Sequence, residues 1–112
     1  MTPSIKPLTP DFGVCAQASP ADMAAFAAQG YKTVVNNRPD GEGGPQQPLS
    51  ADVERAARAA GLHYVYLPVV SGAITAEQAQ AMARVLREVP QPVLAFCRSG
   101  ARSAHLYALA QG

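Results

Sequence analysis

The sequence predicts an α/β fold, with a mainly parallel sheet of four to five strands flanked by helices. Valine-rich apolar runs alternate along the chain with alanine-rich runs. Alanine favours helices, whereas β-branched residues favour strands. Glycines and prolines separate these runs and mark their ends. Such an alternation forms a parallel sheet covered by helices, and 112 residues suffice for one domain.

The chain begins with a proline-rich segment. Residues 1–12 contain three prolines and no apolar run, so we expect an extended arm there and a single domain over residues 13–112. A secretory signal would need an apolar stretch of roughly 7–15 residues. We therefore expect a cytoplasmic location, in which thiols remain reduced.

The first half of the domain contains two strands and two helices. Residues 13–16 are short and apolar, which predicts an edge strand, and Ser19-Pro20 begins a helix that ends at Gly30. A β-branched run at 33–36 predicts the next strand. Three glycines and three prolines make 37–48 a long loop, typical of functional or mobile segments. Ser50 is predicted to cap the second helix.

The second half repeats the pattern. Residues 62–70 are almost entirely apolar, which predicts a strand buried on both faces. Thr75 and Gln78 form a capping box for the third helix. A strand at 93–96 follows, and after a polar loop a final helix covers 104–110.

Composition excludes several classes of protein. Nine basic and eight acidic residues give a net charge of +1, which argues against a nucleic-acid partner. No apolar stretch is long enough to span a membrane. Two cysteines form neither a disulfide framework nor a four-ligand zinc site. We predict no metal and no cofactor, and interpret Cys15 as a small buried hydrophobic residue.

The polar loop carries the candidate chemistry. It joins a buried strand to a helix and reads Cys97-Arg98-Ser99-Gly100-Ala101-Arg102-Ser103. Backbone N–H groups at such a junction form an anion cradle, and a helix N-terminus with nearby arginines lowers the pKa of a thiol. Cys97 and Arg102 are therefore the predicted catalytic residues. The predicted anion-binding residues are Arg98, Ser99, Gly100, Ala101 and Ser103. The alternative is a structural buried cysteine flanked by two solvated arginines.

This loop resembles the active-site loops of cysteine-dependent phosphatases and rhodanese-type sulfurtransferases. Three more motifs accompany it: Gln17-Ala18-Ser19-Pro20, Asn37-Arg38-Pro39-Asp40-Gly41-Glu42 and Leu67-Pro68-Val69. Together they resemble the phosphatase-like domain of the beta-lactamase hydrolase-like proteins, over residues 12–112. The resemblance implies a compact dual-specificity-phosphatase fold. It also implies a persulfide dioxygenase as a partner, because members of this family are often fused or adjacent to one.

Two departures from the phosphatase pattern favour sulfur transfer. Four residues separate Cys97 from Arg102, one fewer than in the usual phosphatase loop, and Phe96 stands where phosphatases commonly have histidine. The stretch 69–73 lacks the carboxylate that would protonate an alkoxide leaving group. Sulfite leaving from thiosulfate needs no proton. The main prediction is therefore a sulfurtransferase that takes sulfur from thiosulfate or glutathione persulfide as a Cys97 persulfide.

Two alternatives remain open at this stage. One is a phosphatase that forms a phosphocysteine at Cys97 and acts best on aryl phosphates. The other is a non-catalytic module that binds an anion or docks to a partner. Asp40, or else Glu42, is the candidate general acid on the long loop, unless these residues and Arg38 form a structural turn.

Overall fold

The computed structural model describes residues 2–112, in which five strands form one sheet and four α-helices cover it. The strands are β1 (Lys6–Thr9), β2 (Phe12–Cys15), β3 (Thr33–Asn36), β4 (His63–Tyr66) and β5 (Val93–Phe96). The α-helices are α1 (Met23–Ala28), α2 (Ser50–Ala59), α3 (Ala76–Glu88) and α4 (Ala101–Ala110). A short 3₁₀ turn, Pro20–Asp22, leads into α1. The predicted α/β class is confirmed.

The sheet is mostly parallel, in the order β1-β2-β5-β3-β4. Strands β2, β5, β3 and β4 run parallel, and only β1 pairs antiparallel with its neighbour. Parallel strands place their carboxyl ends at one edge of the sheet, where ligands of α/β proteins bind. The loops that follow β3, β4 and β5 therefore meet at that edge.

Helices cover both faces of the sheet, because side chains of the central strands alternate between two cores. On β5, Leu94 and Phe96 pack on one face with Met23, Phe26 and Val53, which belong to α1 and α2. The neighbouring Val93 and Ala95 pack on the other face, against side chains of α3 and α4. All four residues of β5 are buried, so the strand that leads to Cys97 is firmly held.

The amino-terminal segment differs from the expected arm. Lys6–Thr9 pairs with β2 and forms the outer strand of the sheet, while Met1 lies outside the described residues. Proline is tolerated at such an edge because its missing N–H has no partner strand to bond. The strand that ends at Cys15 is consequently an inner strand, not the predicted edge strand.

The strand predicted over 62–70 also differs from expectation. It ends at Tyr66 and forms the opposite edge of the sheet, with His63 and Tyr66 exposed. Pro68 has no N–H to continue a ladder, and beyond it the N–H of Val69 donates to the carbonyl of Asn37. The apolar run marks a segment whose side chains are shared between the two cores, and only part of it is strand.

The helix starts were predicted with mixed success. The capping box of α3 is confirmed, since the Gln78 N–H donates to Thr75 Oγ1 at 3.1 Å and the Thr75 N–H donates to Gln78 Oε1 at 2.9 Å. The Ser50 cap is wrong: Ser50 is the first residue of α2, and its N–H donates to Asp40 Oδ1 at 2.8 Å. Within residues 2–112, no helix has the length and apolar character to cross a membrane.

Candidate active site

A cavity of about 720 Å³ lies at the carboxyl edge of the sheet. Three loops line it, and each follows a parallel strand. The lining residues are Arg38, Glu42 and Gly43 after β3, Val70 and Ser71 after β4, and Cys97, Arg98, Ser99, Ala101 and Arg102 after β5. The predicted loop therefore forms one wall of the largest described cavity.

Cys97 lies at the bottom of this cavity, one residue beyond the end of β5. It is only 1% exposed, and its Sγ accepts the N–H of Gly100 at 3.0 Å. The backbone N–H groups of Ser99 and Ser103 are also directed at this sulfur. Several donors thus converge on one atom, which is the arrangement predicted for an anion cradle.

Gly100 makes this turn possible. Its φ of +96° is a left-handed conformation, and a Cβ at this position would lie 3.3 Å from the carbonyl carbon and oxygen of Cys15. A side chain here would be strained by the backbone and crowded by the neighbouring strand. Glycine therefore lets the chain turn tightly from β5 into α4.

The environment of Cys97 favours the thiolate. Burial is the largest single contribution and raises the pKa, but hydrogen bonds from the Ser103 N–H, the Ser103 hydroxyl and the N–H groups of Gly100 and Ser99 oppose it. The hydrogen bonds prevail, and the pKa of Cys97 falls below its ordinary value. The thiolate is the nucleophilic form of cysteine.

Arg102 is the second predicted catalytic residue, and it is held by a carboxylate. Its Nη1 and Nη2 donate to Glu42 Oε2 and Oε1 at 3.0 and 2.9 Å, and Nη1 also donates to the carbonyl of Val69. The Arg102 side chain is 8% exposed, and its buried Nε has no hydrogen-bond partner. One N–H of the guanidinium is therefore left without an acceptor among the described residues.

Glu42 also pairs with Arg38, which sequence reasoning had placed in a structural turn. Arg38 Nε donates to Glu42 Oε1 at 2.9 Å, and Arg38 Nη1 donates to Gln17 Oε1 at 3.0 Å. The Arg102 hydrogen bonds lower the pKa of Glu42; slight burial raises it, and the Arg38 hydrogen bonds lower it further, so that the net shift is downward. Glu42 is therefore ionised and cannot donate a proton as a general acid near neutral pH.

Asp40 does not line the cavity, and the expectation that it acts as the acid stays a prediction. Its carboxylate accepts the Ser50 N–H, and its own N–H donates to the Tyr66 hydroxyl at 2.8 Å. A carboxylate at this position satisfies a free N–H group at the start of α2. Among the described lining residues, Glu42 is the only carboxylate. The turn alternative raised for Arg38, Asp40 and Glu42 is the arrangement observed.

The remaining predicted anion-binding residues lie around the cavity or beneath it. Arg98, Ser99 and Ala101 are exposed and line the cavity. Ser103 is fully buried, and its hydroxyl donates to Asn37 Oδ1 at 2.8 Å. The hydroxyl also contributes to lowering the pKa of the Cys97 thiol, so it acts on the sulfur while it is bonded to Asn37.

The sequence analysis named Gln17 and Asn37 only within the motifs that carry the family resemblance, and it gave neither of them a role in the site. Gln17 fixes Arg38 through its side chain, and its N–H donates to the carbonyl of Arg98 at 3.3 Å. The Asn37 side chain hydrogen bonds to Leu67, in the segment after β4, and to Ser103, in α4. Their positions could have indicated a role in the site, because both are polar residues that follow inner strands of a parallel sheet.

Comparison with known proteins identifies the family. The family model described as "Beta-lactamase hydrolase-like protein, phosphatase-like domain" matches residues 4–112. The chain belongs to this family. Beta-lactamase hydrolase-like proteins of Xylella fastidiosa (strain Temecula1) and Agrobacterium fabrum are 39% and 38% identical to it over 98 residues, or 88% of the chain. The phosphatase-like domain spans 22% of the length of each of these relatives.

Solved structures place the phosphatase-like domain among cysteine-phosphatase folds. A candidate phosphatase from Neisseria meningitidis superposes with a TM-score of 0.83 at 29% identity, covering 90% of this chain and 71% of that one. Pseudomonas aeruginosa TpbA, in complex with phosphotyrosine, superposes with a TM-score of 0.67 at 20% identity, covering 93% and 59%. These relatives support the phosphatase alternative of the sequence analysis better than its sulfurtransferase prediction.

Proposed function

We propose that this domain hydrolyses phosphate monoesters that have good leaving groups, such as aryl phosphates, through a phosphocysteine at Cys97. The observation that carries the proposal is that Arg102, whose Nε has no partner, lines the same cavity as a sulfur that accepts a loop N–H. A tetrahedral oxyanion above the sulfur accepts hydrogen bonds from Nε and from the loop, while Glu42 continues to hold the opposite edge of the guanidinium.

The reaction has two steps. The Cys97 thiolate attacks phosphorus, an S–P bond forms, and the P–O bond to the aryl group breaks with departure of an aryloxide. Water then attacks phosphorus, the S–P bond breaks, and phosphate leaves with regeneration of the thiolate. The proton lost by the attacking water goes to solvent, where the aryloxide takes it up. Such a covalent intermediate divides one difficult step into two easier ones.

The leaving-group requirement follows from the residues in the cavity. Asp40 caps α2, and Glu42 is held ionised by two arginines. General acid catalysis contributes roughly 10²- to 10⁴-fold, so its absence penalises alkyl esters most. Aryloxides leave without a proton and are penalised least.

Sulfur transfer is the second candidate, favoured by the same missing acid and by the short Cys97–Arg102 spacing. The thiolate attacks the outer sulfur of thiosulfate, a new S–S bond forms, and sulfite leaves with the electron pair of the old one. Cyanide or a thiolate then takes the terminal sulfur from the Cys97 persulfide. Neither step needs a proton donor. On this reading a persulfide dioxygenase is the partner we propose, and a reducing cytoplasm the setting.

A leaving-group series tests the first proposal. We expect the rate of ester cleavage to fall steeply from nitrophenyl phosphate to phenyl phosphate to an alkyl phosphate, and no turnover by Cys97→Ser. A shallow dependence on the leaving group would contradict the proposal, because it would reveal an acid.

Thiosulfate:cyanide transfer measured on the same preparation separates the two candidates. Sulfur transfer without ester cleavage, together with a gain of about 32 Da on Cys97 from one added sulfur, would replace the first proposal by the second. Activity of either kind in Cys97→Ser would refute the nucleophile. Absence of both activities, with phosphate or sulfate still bound, would identify an anion-binding module.

A further inference from the structure

Asn37 connects every wall of the cavity. It is fully buried one residue beyond β3, and each of its polar groups has a partner. Its N–H donates to Phe96 O at 2.9 Å, its carbonyl accepts the Val69 N–H at 3.0 Å, Nδ2 donates to Leu67 O at 2.9 Å, and Oδ1 accepts the Ser103 hydroxyl at 2.8 Å. The partners belong to the end of β5, the segment after β4 and the first turns of α4.

The orientation of the Asn37 amide is fixed by these partners. Leu67 O can only accept a hydrogen bond, so the NH₂ group faces it and Oδ1 faces Ser103. An amide oxygen can only accept, so the Ser103 hydroxyl must be the donor in this contact. A hydroxyl carries one proton, and that proton is engaged by Asn37.

The Ser103 hydroxyl and N–H also act on the Cys97 sulfur, since both lower the pKa of its thiol. Asn37 Oδ1 and the sulfur both lie in the buried floor of the cavity, where water does not replace a lost hydrogen bond. When the hydroxyl turns to the sulfur, Asn37 Oδ1 loses its donor.

We propose that Asn37 is a positioning residue that competes with the Cys97 sulfur for the hydroxyl proton of Ser103. In the thiol state the hydroxyl donates to Asn37. In the thiolate state it turns to the sulfur, so stabilisation of the anion comes at the loss of the Asn37 hydrogen bond. Asn37 thereby restrains ionisation of Cys97 and keeps the Ser103 hydroxyl oriented until the thiolate forms again. The inference concerns the nucleophile of the proposed function and rests on that function only for its role in turnover.

Other charges surround the sulfur but act independently of Asn37. Arg98 and Arg102 from the loop and α4, and Arg38 and Glu42 from the loop after β3, line the cavity. Cys15, on the adjacent strand β2, has a pKa raised to about 12 and stays protonated in the relevant range. None of these side chains hydrogen bonds to the Asn37 amide among the described contacts. A change at Asn37 therefore reaches the sulfur through Ser103.

The test is the pH dependence of alkylation of Cys97 by iodoacetamide, located by peptide mass. Asn37→Leu removes the competing acceptor at similar volume, and we expect the midpoint to fall by about 0.5 to 1 pH unit, as for one neutral hydrogen bond. Ser103→Ala should raise the midpoint. In the Ser103→Ala background, Asn37→Leu should have no further effect.

Several outcomes overturn the inference. If Asn37 only supported the loop, Asn37→Leu would raise the alkylation midpoint, because a disturbed loop directs fewer N–H groups at the sulfur. A midpoint that is unchanged or raised in Asn37→Leu refutes the competition. So does a fall of equal size in the Ser103→Ala background.

Asn37→Asp covers the case in which Asn37→Leu fails to fold. It strengthens the acceptor that faces Ser103 and adds negative charge, at the loss of the Nδ2 donor to Leu67 O, so the midpoint must rise; an unchanged or lowered midpoint refutes the inference. Alkylation requires no turnover, so these results stand whether or not the domain hydrolyses aryl phosphates.

Discussion

Cys15 and Cys97 occupy almost the same place in the fold, and their chemistry differs. Cys15 ends β2 and pairs with Phe96, the residue before Cys97 on the adjacent parallel strand. Both are nearly fully buried, at 3% and 1% exposure. Burial, Asp22 and Cys97 raise the pKa of Cys15 to about 12, whereas the pKa of Cys97 is lowered.

The difference shows that donors, and not burial, decide the state of each thiol. Burial raises the pKa of both residues and is the largest contribution in each case. At Cys97 the chain turns through Gly100 into α4, so that successive N–H groups point at the sulfur. At Cys15 the contributions from neighbouring groups are repulsive. The strand that ends in a tight turn and a helix thus has a thiol of lowered pKa, while the thiol of the neighbouring strand has a raised one.

The largest effect should come from removing each thiol in turn. Cys97→Ala is expected to lower kcat/KM for an aryl phosphate by about 10³-fold or more, because the nucleophile is lost. Cys15→Ala should keep turnover and lower the unfolding free energy by about 1–2 kcal/mol through lost packing. Kinetics and thermal unfolding on both variants measure this. Equal losses of kcat/KM in the two variants would contradict the proposal that Cys97, and not Cys15, is the nucleophile.

A second variant changes the turn at Gly100, through which the chain passes from β5 into α4. Gly100→Ala should lower kcat/KM by about tenfold or more, because the strained loop misplaces its N–H groups, and should raise the alkylation midpoint of Cys97. Gly30→Ala is the matched control, since Gly30 has a φ of +99° with nothing near its Cβ position. It should cost about 1 kcal/mol of stability from backbone strain alone. Unchanged kinetics in Gly100→Ala would show that the turn does not activate Cys97.

The two thiols should also give pH dependences of opposite sign. In the folded state Cys97 ionises more readily than in the unfolded chain, so its contribution to stability grows as pH rises towards 9.0 and is lost as pH falls. Cys15 ionises less readily, so between pH 9 and about 12 its contribution declines as pH rises. The slope is at most about 1.4 kcal/mol per pH unit for each group.

Unfolding free energies of Cys97→Ala and Cys15→Ala, subtracted from those of the unsubstituted domain across this pH range, isolate the two contributions. Slopes of the same sign would show that the environments are alike.

The smallest expected effect concerns the charge beside Cys97. Glu42→Gln removes the carboxylate that neutralises Arg38 and Arg102, so inhibition by inorganic phosphate should become about three- to tenfold tighter. Asp52→Asn, in an exposed pair with Arg55, is the control and should leave inhibition unchanged. Weaker inhibition in Glu42→Gln would mean that Glu42 acts by holding Arg102 in place.

Local patterns in the sequence were sufficient to predict the loop that begins at Cys97, whereas contacts between distant parts of the chain were not predictable. A buried strand, a glycine and a following helix predicted the loop at Cys97, because these features lie within one short segment. The helix begins at Ala101 and not at 104, so Arg102 lies in its first turn. The Arg102–Glu42 pair joins residues 60 positions apart. Asn37 and Ser103 are 66 apart. Nothing in a single sequence indicates which side chains such distances bring together.

Errors in the predicted fold have the same origin. Composition described residues 1–12 as an arm, but β2 presented a free edge to pair with. Hydrophobicity predicted a buried strand over 62–70, but the run is divided between the two helical cores, and the sheet ends at β4. Asp40 is a carboxylate on a long loop rich in glycine and proline, which suggested a general acid. In the structure its carboxylate accepts the N–H of Ser50, the first residue of α2.

The pairing of Glu42 with Arg38 and Arg102 bears on how an anion first reaches the cavity. Three arginines, one carboxylate and a thiolate leave a single net positive charge among the described lining residues. A field this weak is screened within about 10 Å at ordinary ionic strength and adds little to the rate of encounter. Anions therefore arrive by unassisted diffusion, and association should respond only slightly to added salt. Selection begins at contact, where the shape of the anion must match the Arg102 Nε and the loop N–H groups.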